Sequence, residues 1–307
     1  MSTVRKLTPS LTRITFSGPD LQYVATEGLD QRIKVVFPLD GLGFSHFGML
    51  ETPPLPVSEW YGQWRTLDND RRNPMRTYTL RNPKPEAQQV DIDFVLHGDA
   101  GPASAWALGA KPGDEIVIFG PDGRATDRGG IEWRPGNARE VLLAGDETAW
   151  PAICAIVESL PAGITGHAFI EVPHPSDAVE VPTDSDVTVS WLARGDARRG
   201  ELLDTAVRAW AADHVEKLAV SAASAASAAS EAAPTFVDDT PTTDDIVWTA
   251  PDLDADMATS SDTSLYTWLA GESKVITTLR RHLVRDAGFD RNRVAFMGYW
   301  REGRAEN

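Results

Sequence analysis

The sequence predicts two domains: an N-terminal antiparallel β-barrel and a C-terminal α/β domain built on a parallel sheet. Three observations carry this. From Val4 to Gly123, short alternating or β-branched runs are separated by Gly- and Pro-bearing turns without helical periodicity, the pattern of an antiparallel barrel or sandwich. After Gly123 strand-like and helix-like runs alternate, which implies a parallel sheet with a ligand crevice at the carboxyl ends of its strands. The 307 residues, with 42% hydrophobic content, suffice for two cores. The expected bounds are 1–124 for the barrel, 125–137 for a linker and 138–307 for the α/β domain.

Within the barrel, Leu11–Phe16, Arg32–Phe37, Val90–Leu96 and Asp114–Phe119 read as strands, because apolar residues alternate with polar ones or run β-branched. The turn at Lys111-Pro112-Gly113-Asp114 feeds the last of these, and Gly120-Pro121-Asp122-Gly123 closes the domain. In the second domain Val141–Gly145 is a buried-strand run and Pro151–Leu160 a helix with an early proline. His167–Val172 and Val187–Leu192 follow as strands, Glu201–Leu218 and Lys274–Ala287 as helices, and Val294–Met297 as the last strand. Between them, residues 220–264 hold a Ser-Ala-Ala repeat and an Asp- and Thr-rich stretch. Alanine favours extending the preceding helix and serine at every third position weakens it, so a mobile surface insertion is expected.

Charge and cysteine usage exclude several functions. The net charge is -16, but Leu218–Ser273 carries no Lys or Arg and ten carboxylates. The acidity is thus largely local, and no clustered basic face for nucleic acid is present. Cys154 is the single cysteine, which rules out an intramolecular disulfide and suits a small buried apolar role. The six histidines include no pair at metal-ligand spacing, so no protein-bound metal is expected. No run of about 20 apolar residues is available for membrane insertion. A cytoplasmic monomer is the expected state.

The most informative stretch is Arg76-Thr77-Tyr78-Thr79-Leu80-Arg81, followed by His97-Gly98-Asp99-Ala100-Gly101-Pro102-Ala103-Ser104-Ala105-Trp106. In a strand Arg76, Tyr78 and Leu80 share one face and Thr77, Thr79 and Arg81 the other. Tyr78 can stack on a flat ring or ribose, the forked Arg76 can pair with phosphate oxygens, and Thr79 can bond a ring edge. Gly101 admits close approach of an anion, and the helix that opens at Ser104–Trp106 presents unpartnered amides. Alone, the first block also reads as an amphipathic strand and the second as an ordinary loop-to-helix turn; joined in this order, they favour a flavin-nucleotide grip.

Arg-Thr-Tyr-Thr-x-Arg, His-Gly-x-x-Gly-Pro-Ala-Ser-x-Trp-Ala, Gly-Asp-Glu-Thr-Ala, Trp-x-Ala-Gly-Glu and Gly-Tyr-Trp-Arg-x-Gly, in this order between Lys34 and Gly303, resemble the siderophore-interacting protein family, FAD-dependent ferric-siderophore reductases of the ferredoxin-reductase-like superfamily. The resemblance implies an FAD-binding barrel, an NAD(P)H-binding-like second domain, and electrons passing from NADH or NADPH, or from a ferredoxin, to FAD and then to the iron of a ferric siderophore. It implies cofactor contacts at Arg76, Thr77, Tyr78, Thr79, Arg81, His97, Gly101, Pro102, Ala103, Ser104 and Trp106. No side chain is needed as acid, base or nucleophile, so no catalytic residue is assigned. A flavin reductase for other acceptors and a non-catalytic siderophore- or flavin-binding module are the alternatives.

Other residues have two readings each. Asp146-Glu147-Thr148-Ala149 follows a buried strand, where carboxylates can take ribose hydroxyls or Asp146 or Thr148 can cap the next helix while Glu147 favours its dipole. No Gly-x-Gly-x-x-Gly follows a strand, so a standard Rossmann site is not supported. Trp268-Leu269-Ala270-Gly271-Glu272 places a small-residue turn and a carboxylate between strand and helix; the resemblance puts it, with the Asp146 block, on the nicotinamide side. Tyr299, Trp300 and Arg301 can cover a flavin or adenine face, or pack back as a tail. Lys34 is by default a snorkelling surface lysine, and by resemblance a cation near the anionic substrate, on the open side of the flavin.

Overall fold

A computed structural model describes residues 1–51, 53, 55–96, 101–126, 129–225, 248–249 and 265–303. They form two compact units, Met1–Gly130 and Ile131–Arg304.

The first unit is a six-stranded antiparallel sheet of β1 (Thr3–Lys6), β2 (Leu11–Ser17), β3 (Arg32–Val36), β4 (Met75–Lys84), β5 (Gln89–Val95) and β6 (Val117–Phe119), in the order β1-β2-β5-β4-β3-β6. The two ends approach each other where the Met1 amine donates to the Asp114 carbonyl at 3.0 Å and the Gly113 amide to the Met1 carbonyl at 3.2 Å. The interior holds Ile14, Phe16, Ile33, Val35, Leu80, Val90, Ile92 and Phe94, the inward half of each alternating strand; each such side chain contributes about 1.5–3 kcal/mol by leaving water. Helix α2 (Pro102–Gly109) packs Ala103 and Ala107 on the same core.

Two features differ from the sequence reading. The strand expected from Asp114 begins only at Val117. Between β3 and β4 lies an unforeseen helix, α1 (Val57–Thr66), whose Trp60 and Trp64 sit one turn apart and are buried with Phe47, Met49, Val36 and Met75. This satellite core covers the outer face of β3 and β4 at Val36 and Met75. Asn73 holds it in place from a buried position, with its side-chain amide donating to the Phe37 and Gly43 carbonyls at 2.9 Å each.

In the second unit β7 (Glu140–Gly145), β8 (Thr165–Val172), β9 (Asp186–Ala193), β11 (Leu265–Glu272) and β12 (Val294–Trp300) are parallel, in the order β12-β11-β7-β8-β9. The two-residue β10 (Trp248–Thr249) adds antiparallel to β12. Helices α3 (Trp150–Ser159), α4 (Glu201–Ala225) and α5 (Ser273–Arg281) provide the crossovers; α5 passes into one wider turn, His282–Asp286, inside the span read as a single helix. Leu203, Val207 and Ala211 of α4 and Ile276 and Leu279 of α5 bury against Leu142, Ala144, Leu269 and Phe296 of the sheet. Cys154 is buried in α3.

The Trp268–Glu272 block, expected to hold a turn between strand and helix, is the carboxyl-terminal part of strand β11, and α4 runs into the alanine-serine repeat as far as Ala225. Apart from 220–225 and 248–249, the insertion read at 220–264 lies outside the described residues. Strand order reverses between β7 and β11, and an open α/β sheet has its ligand crevice at such a switch point, outside the carboxyl strand ends. Asp146 and Glu272 stand there.

Candidate functional site

In the first unit one aromatic cluster brings together the two sequence blocks of the flavin-nucleotide reading. Tyr78 of β4 lies 4.7 Å from Phe94 and 6.4 Å from Phe37, between ring centroids, while Trp106 of α2 lies 5.4 Å from Phe37 and 6.0 Å from Phe94. Tyr78 and Trp106 are half-buried. Gly101 is the residue before the first turn of α2, in extended backbone (φ −123°, ψ 145°), and a Cβ there would meet nothing within 4 Å. Pro102 occupies the first helical position, where its missing N–H costs nothing. The first helical bond runs from the Ala105 amide to the Gly101 carbonyl at 2.9 Å, so the amides of Ala103 and Ser104 precede it and stand in the positions that receive anions.

Arg76 is half-buried and donates from Nη1 to the Met75 carbonyl at 2.8 Å. Arg81 is buried, with Nε 3.6 Å from Asp93 Oδ2; Asp93 also takes a two-pronged bond from Arg13 at 2.6 and 2.7 Å. Arg81 is thereby held within the sheet's own ion network. Thr79 is buried on the face opposite Tyr78, and Thr77 accepts from Lys34 Nζ at 2.6 Å. His97 lies outside the described residues.

The strand ends of the second unit form a compact polar hub. Asp146, 4% exposed, accepts four hydrogen bonds: from the Thr148 amide (2.9 Å) and hydroxyl (2.5 Å) on Oδ1, and from the Glu272 amide and Trp300 Nε1 (2.9 Å each) on Oδ2. Burial, then the charge of Glu147, raises its pKa above the usual carboxylate value, and the Thr148 and Trp300 bonds only partly offset this. Ala149, fully buried, is the residue before the first turn of α3. Glu272 caps α5, accepting from the Lys274 and Val275 amides at 2.7 and 3.0 Å. Tyr299 meets Trp268 edge-on at 6.3 Å, Ser273 Oγ donates to the Trp300 carbonyl at 3.0 Å, and Arg301 is half-buried.

The sequence singled out Glu147 for a ribose or the helix dipole, but its partners in this hub, Arg194, Arg199 and Glu171, were missed. Glu147 is fully buried and bonds Arg199 Nη1 and both terminal nitrogens of Arg194, the latter at 3.3 and 3.2 Å. Burial drives its carboxyl upward, but the two guanidiniums win and leave its pKa below the ordinary value. Arg194 also bonds fully buried Glu171 at 2.9 Å, and Glu171 accepts from the Gly200 and Leu203 amides at the start of α4. Arg199 then lies 4.7 Å from the centroid of the Trp300 ring. The available signal was the run Arg194-Gly195-Asp196-Ala197-Arg198-Arg199-Gly200, an arginine cluster directly after a strand at its carboxyl end.

Among the described residues, no group of three His, Cys, Asp or Glu could hold a metal ion, and no helix is long and apolar enough to cross a membrane.

Comparison with known proteins agrees with both halves. Residues 1–125 match the model of the siderophore-interacting FAD-binding domain, and residues 138–303 that of the siderophore-interacting protein. An uncharacterized protein of Mycobacterium tuberculosis is 34% identical over 192 residues, 62% of this chain and 62% of that protein. Ferric vibriobactin reductase ViuB of Vibrio cholerae is 31% identical over 193 residues, 62% of this chain and 65% of ViuB. The matched segment thus spans less than two thirds of either relative. Among solved structures, the siderophore-interacting protein SipS from Aeromonas hydrophila is 28% identical with a TM-score of 0.62, covering 99% of this chain and 90% of SipS. With family matches over both units, and a switch-point sheet following an antiparallel FAD-binding domain, the chain belongs to the siderophore-interacting protein family.

Proposed function

We propose that the protein reduces ferric siderophores with FAD as its cofactor and a nicotinamide nucleotide as electron donor. The observation that supports this most is the aromatic cluster uniting Tyr78 with Trp106, which keeps a ring-bearing strand and an anion-receiving helix start in one rigid core. The residues suit the group: Arg76 offers a forked cation, Tyr78 a partly open ring, and the amides of Ala103 and Ser104 a cradle for a diphosphate. Trp106 and Thr77 complete the proposed contacts.

FAD, when bound, supplies the capacity to accept electrons in a pair and release them singly. The chain's own residues bind and orient. Lys34, exposed on β3, attracts an anionic ferric chelate, and the iron arrives as substrate rather than as a resident metal. Its reduced form binds hard oxygen chelators less tightly, so reduction releases it. In the second unit the switch point beside Asp146 and Glu272 is the proposed place for the donor nucleotide. Because both carboxylates are engaged internally, they shape that crevice through the backbone and through Trp300.

The experiment is direct. Purified protein supplied with FAD is yellow, bleaches with NADH or NADPH, and regains its colour when a ferric siderophore is added. Replacing Arg76 and Tyr78 together with alanine is expected to weaken FAD binding by roughly tenfold or more, from the loss of a charge-assisted bond and an aromatic contact. Unchanged occupancy in a flavin-absorbance titration overturns the cofactor assignment. Protein that holds FAD but transfers no electrons to any ferric siderophore overturns the activity.

A further inference from the structure

At one end of the second unit's sheet the two-residue β10 lies against β12, and at the other end β9 pairs with β8 alone. Along a parallel pair, alternate residues turn their amide and carbonyl to the neighbour and the others turn theirs away. The Asp186 amide donates to the Ile164 carbonyl at 2.9 Å and the Arg194 amide to the Val172 carbonyl at 2.8 Å, so the even-numbered residues of β9 serve β8. Val187, Val189, Trp191 and Ala193 therefore aim their backbone groups outward. Among the described residues, the Val189, Trp191 and Ala193 amides donate to nothing. Proteins blunt open edges with lysine, proline, bulges or short strands. β9 uses none of these devices: its eight residues keep unbroken register with β8, include no Lys, Arg or Pro, and carry one charge, Asp186 at the start.

We propose that β9 pairs antiparallel with β9 of a second copy of this chain, about a two-fold axis at Ser190, and joins the two sheets into one. The sequence reading expected a monomer. A second copy is the occupant because one register satisfies every outward group at once. With Ser190 opposite Ser190, Val189 faces Trp191 and Val187 faces Ala193; these are the residues whose backbone groups point outward, so each pair exchanges amide and carbonyl bonds. Val189 against Trp191 is also a favourable β-branched and aromatic match, and half-buried Trp191 is already steadied edge-on by Trp150 of α3 at 5.0 Å. On the other face Thr188 meets Leu192, and Asp186 meets Arg194. No like charges oppose each other across the pair. The charge of the whole chain, -16 per copy, works against association, and salt screens that repulsion. The dimer is thus expected to tighten as salt rises. This pairing depends on neither the cofactor, the donor nor the substrate assigned above, so either reading can fail without the other.

The test uses the full chain without added ligand. Sedimentation equilibrium across the micromolar range is expected to show monomer and dimer in exchange, with association strengthening from low to high salt. Ser190→Cys reads the register. Residues opposite each other in a non-hydrogen-bonded antiparallel pair have Cα atoms about 4.5 Å apart, within disulfide range, so mild oxidation is expected to link this variant into a covalent dimer. Thr188→Cys, on the same face but opposite Leu192, is expected to stay unlinked, as is the wild type, whose Cys154 is buried. Val189→Pro removes one outward amide and leaves the β8 ladder intact, and Thr188→Lys puts a charge at an exposed edge position that does not depend on the proline variant folding. Each is expected to weaken dimerisation by roughly tenfold or more. A wild type that stays monomeric throughout, a dimer that survives both substitutions, or linkage of Thr188→Cys as fast as Ser190→Cys overturns the inference.

Discussion

Replacing Glu147 with alanine is expected to destabilise the second unit by about 3–5 kcal/mol, because it takes from two largely buried guanidiniums the carboxylate they share. Glu147 is fully buried, and Arg194 is only 10% exposed at its side chain. With one partner gone, Arg194 keeps Glu171, but Arg199 loses its carboxylate and, among the described residues, keeps the face of Trp300. For a unit of this size, such a loss lowers the melting temperature by roughly 6–20 °C. Differential scanning calorimetry of wild type and variant checks it, and a shift under about 2 °C, below the cost of even a single lost charged hydrogen bond, sinks the reading of the hub as a structural clamp.

The same carboxylate sets a pH signature. Glu147 has a folded pKa below its ordinary value of 4.5, so its contribution is fully present above that value and is lost as pH falls through the lowered folded value. Its neighbour acts with the opposite sign. Asp146 has a folded pKa raised from 3.8, so what it contributes is present below 3.8 and lost as pH rises through the folded value. Glu147→Gln should therefore cost least in acid and most near neutrality. Asp146→Asn should cost most in acid, with the penalty shrinking as pH rises.

The strands were legible because burial on one face leaves a period of two, as in Leu11–Ser17 and Gln89–Val95. In the second unit β7, β8, β9 and β12 were legible, with apolar runs as their signal. Helix α1 was not, although Trp60 and Trp64 lie four residues apart, because its exposed Val57 and Tyr61 blur the apolar stripe. Strand β11 was misread for a local reason: Ala270 and Gly271 look like a turn, and only the sheet shows that they lie within its parallel pairing. The aromatic link between Tyr78 and Trp106 was legible as two blocks but not as a contact, since Phe37 and Phe94, which join them, come from other strands. The Glu147 clamp was beyond reach because its partners lie 47 and 52 residues away in sequence, and pattern reasoning pairs only near neighbours.

Gly271 should be as intolerant of a side chain as Glu147 is of removal. Its φ is +144°, a region that residues with a Cβ rarely adopt, and a Cβ there would stand 2.8 Å from Asp146 Cγ and Oδ2. Gly271→Ala is therefore expected to cost about 3 kcal/mol or more, combining backbone strain of roughly 1–3 kcal/mol with displacement of a fully bonded carboxylate. The displaced group is the acceptor for both the Glu272 amide and Trp300 Nε1, so the damage reaches the strand end of β12. A double-mutant cycle with Asp146→Ala separates the two parts. If the steric conflict dominates, the alanine at 146 makes room and the pair costs less than the sum of its members, by about 1–2 kcal/mol; strict additivity in denaturant melts would leave backbone strain alone responsible. In the first case the glycine is there because the carboxylate that follows β7 must reach across it; in the second, its φ of +144° alone requires it.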